Sequence, residues 1–107
     1  MGGSCDININ KGYPVLVNED KLTIQVLSFA KEYLGKENVV DIDVWMAAED
    51  FAYYSQSLDS CFYLLGIGNK EKRIVSSLHT PTFDIDENAL VTSVGLMAYM
   101  AVKRLGN

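Results

Sequence analysis

Cys61-Phe62-Tyr63-Leu64-Leu65-Gly66-Ile67-Gly68-Asn69 is the stretch on which the fold turns. Its first five positions are apolar without a break. A strand with one wet face alternates; an unbroken run fits a strand buried on both faces, as in a sheet covered by helices. Gly66 and Gly68 then end the run, reading as a strand exit that needs positive φ. Upstream, Val39, Val40, Ile42 and Val44 form a β-branched cluster that predicts a second short strand. Between the two, Glu49 to Gln56 carries Phe51, Ala52, Tyr53 and Tyr54 and reads as a short helix.

Further out, Leu22, Val26, Leu27, Ala30 and Leu34 recur at helical spacing. Asn18 is the expected N-cap, Glu19 and Asp20 suit the positive end of the dipole, and Gly35 is the expected stop. Cys5, Ile7 and Ile9 alternate with Asp6, Asn8 and Asn10, the period of a half-buried strand, which Gly12-Tyr13-Pro14 ends. On the other side, a loop runs from Gly66 to about Thr82. Asp86 is placed to cap a final helix over 87–105, with Lys103 and Arg104 in its last turn and Gly106 beyond. The order strand, helix, strand, short helix, strand, helix predicts an α/β fold, a short sheet packed with helices. The last helix is apolar almost all round, which predicts heavy burial. Three or four small elements cannot easily cover it, and missing upstream sequence would account for that.

At 107 residues the chain is one small domain or part of one. A formal charge of −5 with no basic stripe argues against nucleic-acid binding. Cys5 and Cys61 lie far apart with no CxxC spacing, so they give neither a zinc module nor a disulfide framework. Two buried thiols in a reducing cytoplasm are expected. No apolar stretch is long enough to span a bilayer. Met1-Gly2-Gly3-Ser4 is unlike a secretory leader and reads as a cloning scar.

Few residues suggest chemistry. His79 is the one histidine, in the loop Leu78-His79-Thr80-Pro81-Thr82-Phe83, with Asp84 and Asp86 near. Histidine is a good ligand for zinc-like ions, but such sites need three or four protein ligands. Glu49-Asp50 is an adjacent pair whose side chains diverge on a helix, so it makes a poor acid/base dyad and suits helix-start capping better. Gly66-Ile67-Gly68-Asn69 lacks the spacing of a phosphate loop. None of the serines sits in a GxSxG elbow.

Three segments in order carry a resemblance. Gly12-Tyr13-Pro14-Val15-Leu16-Val17-Asn18-Glu19 resembles a GYPxxxND motif leading into a helix. Met46-Ala47-Ala48-Glu49-Asp50-Phe51-Ala52-Tyr53-Tyr54 resembles MGGEDFAYY. Leu64 to Asn69 followed by Leu78-His79-Thr80-Pro81-Thr82-Phe83-Asp84-Ile85-Asp86-Glu87 resembles LGIGN…LHSPxFDIDE. The ordered set is similar to the two-metal amidohydrolase and peptidase family that includes hippurate hydrolase, aminoacylases and auxin-conjugate hydrolases. Ala47-Ala48 departs from the common glycine pair, which would stiffen the turn before Glu49.

The resemblance implies the C-terminal portion of a zinc-peptidase-like catalytic domain over 13–107, preceded by the end of the last lid-domain strand over 5–12. It implies that His79 is a metal ligand. Glu49, Asp50, Gly66, Gly68 and Asn69 would lie on the substrate side. It further implies two divalent ions (zinc, manganese or cobalt) and hydrolysis of N-acyl amino acids or peptides by metal-activated water. The general-base glutamate and the other ligands would come from upstream, so no catalytic residue is expected here and the isolated chain should be inactive. The competing expectation is a non-catalytic structural or interaction module derived from that fold. Either way, exposed apolar surface predicts self-association.

Overall fold

The computed structural model describes residues 2–106. Three helices form: α1 (Asp20–Leu34), α2 (Ala52–Ser55) and α3 (Asn88–Leu105), with a 3₁₀ turn at Lys36–Asn38. The cap of α1 is Glu19, whose Oε2 accepts from the Leu22 N–H at 2.6 Å. Gly35 stops the helix at φ 91°, a conformation that a side chain would strain, and its N–H returns to the Lys31 carbonyl. Asn18, the residue expected to cap, does something else. Its Nδ2 donates to the Phe62 carbonyl at 2.8 Å and its Oδ1 accepts the Phe62 N–H at 2.7 Å. One side-chain amide thus pairs with the backbone of the 61–65 run as a neighbouring strand would.

Helix α3 packs against α1. Gly95 makes this approach possible, because a Cβ there would run into the Tyr33 hydroxyl. The Tyr33 and Tyr99 rings lie 5.2 Å apart. Around them, Lys103 Nζ meets Glu32 at 3.0 Å and Arg104 Nη1 donates to Gln25 Oε1 at 2.8 Å. Pairs this exposed are screened by water and contribute little, so apolar contact at Ala30 and Leu96 carries more of the packing.

The helices stand near their expected bounds, but the sheet does not form. Among the described residues the only ladder contact is one bridge between Asn69 and Ile74. An extended segment becomes a strand only when a neighbour takes its N–H and C=O groups. Residues 5–10 and 40–44 have no such neighbour, and 61–65 has only the Asn18 amide. The heavy burial expected of α3 is also absent. Among the described residues only Ala30, Ala52 and Leu96 are buried, while Val91, Val94 and Val102 on α3 are at least 70% exposed. Among the described residues helix α1 is the element packed along α3, and the rest of the α3 surface lies open.

The molecule is correspondingly open. Its accessible surface is 9373 Å², against about 6,000 Å² for a compact monomer of this size. Its radius of gyration is 18.7 Å, against about 13 Å.

The loop between the 61–65 run and α3 is closed at its base. The Asp86 N–H donates to the Ile67 carbonyl at 2.9 Å, and Asn69 and Ile74 exchange two backbone bonds of 2.8 Å. The Asp86 carboxylate accepts from Asn69 Nδ2 at 2.6 Å, Lys72 Nζ at 2.7 Å and the Asn88 N–H at 3.2 Å. With Lys72 the largest influence, then Asn69 and Asn88, these donors lower the Asp86 carboxyl from its ordinary 3.8 to about 2.

Two outcomes follow. On helix propensity alone Gly95→Ala should stabilise by about 1 kcal/mol. The Tyr33 contact should reverse that sign, and adding Tyr33→Leu should restore stability, as denaturant unfolding would show. Because the folded Asp86 is the stronger acid, its contribution is complete above pH 3.8 and disappears as pH falls through about 2. A carboxyl ¹³C titration of Asp86 should therefore have its midpoint near 2; a midpoint near 3.8 would contradict the closure.

Candidate functional site

His79 lies exposed on the loop that Asp86 closes, at φ 62°. Left-handed backbone costs a residue with a Cβ roughly 1–2 kcal/mol, although histidine tolerates it better than branched residues do. Two successive turns hold it there. Thr80 Oγ1 donates to the Ser77 carbonyl at 2.8 Å, and the Phe83 N–H donates to the Thr80 carbonyl at 3.1 Å. Pro81 fills the second position of the latter turn, where its fixed φ fits. Ser76 and Thr82 hydroxyls meet at 2.8 Å across the loop.

The other five predicted positions separate. Glu49 is half-buried, and its Oε1 accepts from the Phe51 N–H at 3.1 Å, so its carboxylate helps start α2. Asp50 is exposed, and its carbonyl accepts from the Tyr53 N–H. The Phe51 ring stands 5.4 Å from Phe62, which ties α2 to the 61–65 run. Gly66 lines an apolar trough, Gly68 comes close enough to Ile74 that a Cβ would be 3.3 Å from its carbonyl, and Asn69 belongs to the Asp86 closure. The positive φ expected at Gly66 or Gly68 is not there. It falls on Arg73 and His79, because the chain reverses at those two turns rather than at the end of the run.

No group of three or more His, Cys, Asp or Glu side chains that could hold a metal ion occurs among the described residues. The residues present therefore do not fit a complete divalent-metal site; His79 can serve as a single ligand within one. The two thiols are free, Cys5 exposed and Cys61 half-buried. No helix among the described residues is long and apolar enough to cross a membrane.

The trough was not foreseen. It encloses about 520 Å³, with Leu27, Ala30, Leu96 and Met100 on its helical side and residues 39–42 and 61–66 along its walls. Each wall was visible as an apolar run, but nothing in the sequence placed both runs on the same side of the helix pair. The Asp86 partners were missed as well. Lys72 and Asn69 lie 14 and 17 residues away, a separation at which no local pattern exists.

Comparison with known proteins extends over the same segments. Residues 3–103 match peptidase family M20/M25/M40. The chain is 36% identical over 101 residues to the Bacillus subtilis protein named "Putative amidohydrolase YhaA", covering 94% of this chain and 26% of that protein. It is 32% identical over 93 residues to IAA-amino acid hydrolase ILR1-like 4 of Arabidopsis thaliana, covering 87% of this chain and 21% of the other. A staphylococcal protein, "Uncharacterized hydrolase SERP0968" of Staphylococcus epidermidis, is 33% identical over 97 residues, covering 90% of this chain and 25% of its own. No solved structure matches significantly. The chain spans about a fifth to a quarter of the length of the curated relatives it matches. With nearly its whole length matched, the chain belongs to peptidase family M20/M25/M40, the amidohydrolase family that its motifs resemble.

Proposed function

We propose that this chain is the C-terminal part of a metal-dependent amidohydrolase that cleaves N-acyl amino acids or similar amides, and that it is inactive by itself. The observation that carries the proposal is the His79 turn: the only imidazole of the chain stands exposed at a left-handed position on a loop closed at its base. The amide class is supported by the names of the relatives, an amidohydrolase and IAA-amino acid hydrolases. In this reading 13–107 belong to the catalytic domain and 5–12 end a lid strand; the family match begins at residue 3, inside the stretch 1–4 expected to be a cloning scar. Met1 of that stretch lies outside the described residues, as does Asn107.

When bound, a pair of zinc, manganese or cobalt ions would polarise the amide carbonyl and acidify a water. This chain's part is narrower. The His79 ring would offer one nitrogen lone pair to that centre, and Glu49, Asp50, Gly66, Gly68 and Asn69 would border the substrate. The remaining ligands and the general base would come from an upstream half. That half would also cover α3 and fill the trough with strands paired to 39–44 and 61–65. Free cysteines suit a cytoplasmic protein. The net charge of −5 speaks against nucleic acid, and no membrane partner is proposed.

A second reading is favoured by one observation: the Glu49 carboxylate is occupied in starting α2. In that reading the chain is a structural or interaction module that kept the fold and lost the chemistry. The two readings part in a chimera that joins the first three quarters of the Bacillus relative to this chain. The isolated chain should not turn over N-acetyl or N-benzoyl amino acids with added zinc, manganese or cobalt. The chimera should, and His79→Asn should lower its turnover by at least about 100-fold while shifting stability by no more than about 0.5 kcal/mol, since asparagine also accepts positive φ. Turnover by the isolated chain, or a chimera indifferent to His79→Asn, would refute the hydrolase reading. Its uncovered surface should also make the isolated chain associate; light scattering showing a monomer at high concentration would count against that.

A further inference from the structure

We propose that Asp86 is a positioning residue, a latch that joins the two ends of the 67–86 loop and thereby fixes where His79 is presented. The inference rests on the reading of His79 as a ligand and adds the device that holds it in place. Among the described residues, every hydrogen bond made by residues 75–85 stays within that segment: Ser76 with Thr82, Thr80 with Ser77, Phe83 with Thr80, and Ile85 with Asp84. Those bonds shape the turn but do not hold it to the rest of the molecule. Its placement is set by the base, where Ile67, Asn69 and Lys72 bond to Asp86 and Ile74 pairs with Asn69.

The bond lengths distinguish this role from simple helix capping. The Asp86 carboxylate also accepts from the Asn88 N–H at the start of α3, but at 3.2 Å. Its two short bonds, 2.6 and 2.7 Å, run across the loop to Asn69 and Lys72. The bond to Lys72 is charge-assisted, the stronger kind. The Asp86 side chain is only 13% exposed, so water competes for it weakly. Asn69 closes the latch from the other side, since its Oδ1 accepts from the Lys72 N–H while its Nδ2 donates to Asp86. The remaining charged neighbours, Asp84 and Glu87, flank the same shallow pocket as Lys72 and Asp86. They are anionic and offer Asp86 no competing ion pair.

The chain's single histidine gives one imidazole C2–H resonance that reports the turn directly. Asp86→Asn should shift that resonance. It should also raise amide exchange over 69–85 by about tenfold, with α3 beyond its first turn unchanged. Asp86→Glu, which keeps the carboxylate, should restore much of both. If Asp86→Asn disturbs folding, Lys72→Met removes a cross-loop partner and leaves the Asn88 bond, so it should loosen 69–85 and spare α3. The latch is overturned if Asp86→Asn loosens only the first turn of α3 with the imidazole signal unmoved, or if Lys72→Met changes neither loop exchange nor that signal. These outcomes are independent of hydrolysis. An unmoved turn in Asp86→Asn beside an active, His79-dependent chimera would sink the latch alone. A loosened turn beside a chimera indifferent to His79→Asn would sink the hydrolase reading alone.

Discussion

The packing of α3 on α1 is the contact from which the rest of this molecule hangs. Among the described residues it is the one place where two α-helices pack on each other, with Gly95 of α3 facing the Tyr33 ring of α1. Outside it, the chain is held by ring contacts such as Phe51 on Phe62 and by polar fastenings. Asn18 grips Phe62, Glu19 reaches the Ser60 carbonyl, and Asp86 closes the His79 loop. These fix geometry without burying much apolar area, so they cannot make a core. Chains of this length are short of buried area even when compact. This one has about 3,400 Å² more surface than a compact chain, and its apolar faces lie open.

That imbalance orders the functional argument. Paired strands need neighbours, and among the described residues both walls of the trough run beside an apolar floor without a ladder, Phe62 being paired only by the Asn18 amide. A metal centre likewise needs three or four ligands, and the chain offers one imidazole. In the proposed hydrolase reading, fold and site fall short in the same way, each with part of a set. The relatives, roughly three and a half to four times as long, supply the scale of what a whole member contains.

The legible part of the sequence was the part governed by local rules. Helical spacing from Leu22 to Leu34, the stop at Gly35 and the cation-ended helix closing at Gly106 all depend on a few neighbouring residues. The apolar runs were legible but their pairing was not, because a ladder belongs to two segments at once, and among the described residues 40–44 and 61–65 have no strand beside them. Asn18 was misread for a related reason: it carries the right side chain for a cap, yet a backbone 44 residues away competes for it and wins. His79 was legible as a suspicious loop residue. Its left-handed backbone and the Asp86 closure were not, since both arise from contacts across the loop.

The central claim is that this polypeptide's chemistry is shared with residues it does not contain. Intact mass together with metal content, measured on the protein purified from its natural source, tests that claim most directly. The account predicts a polypeptide several times longer than 107 residues carrying about two divalent ions. A natural product of 107 residues that holds no metal tightly would contradict it.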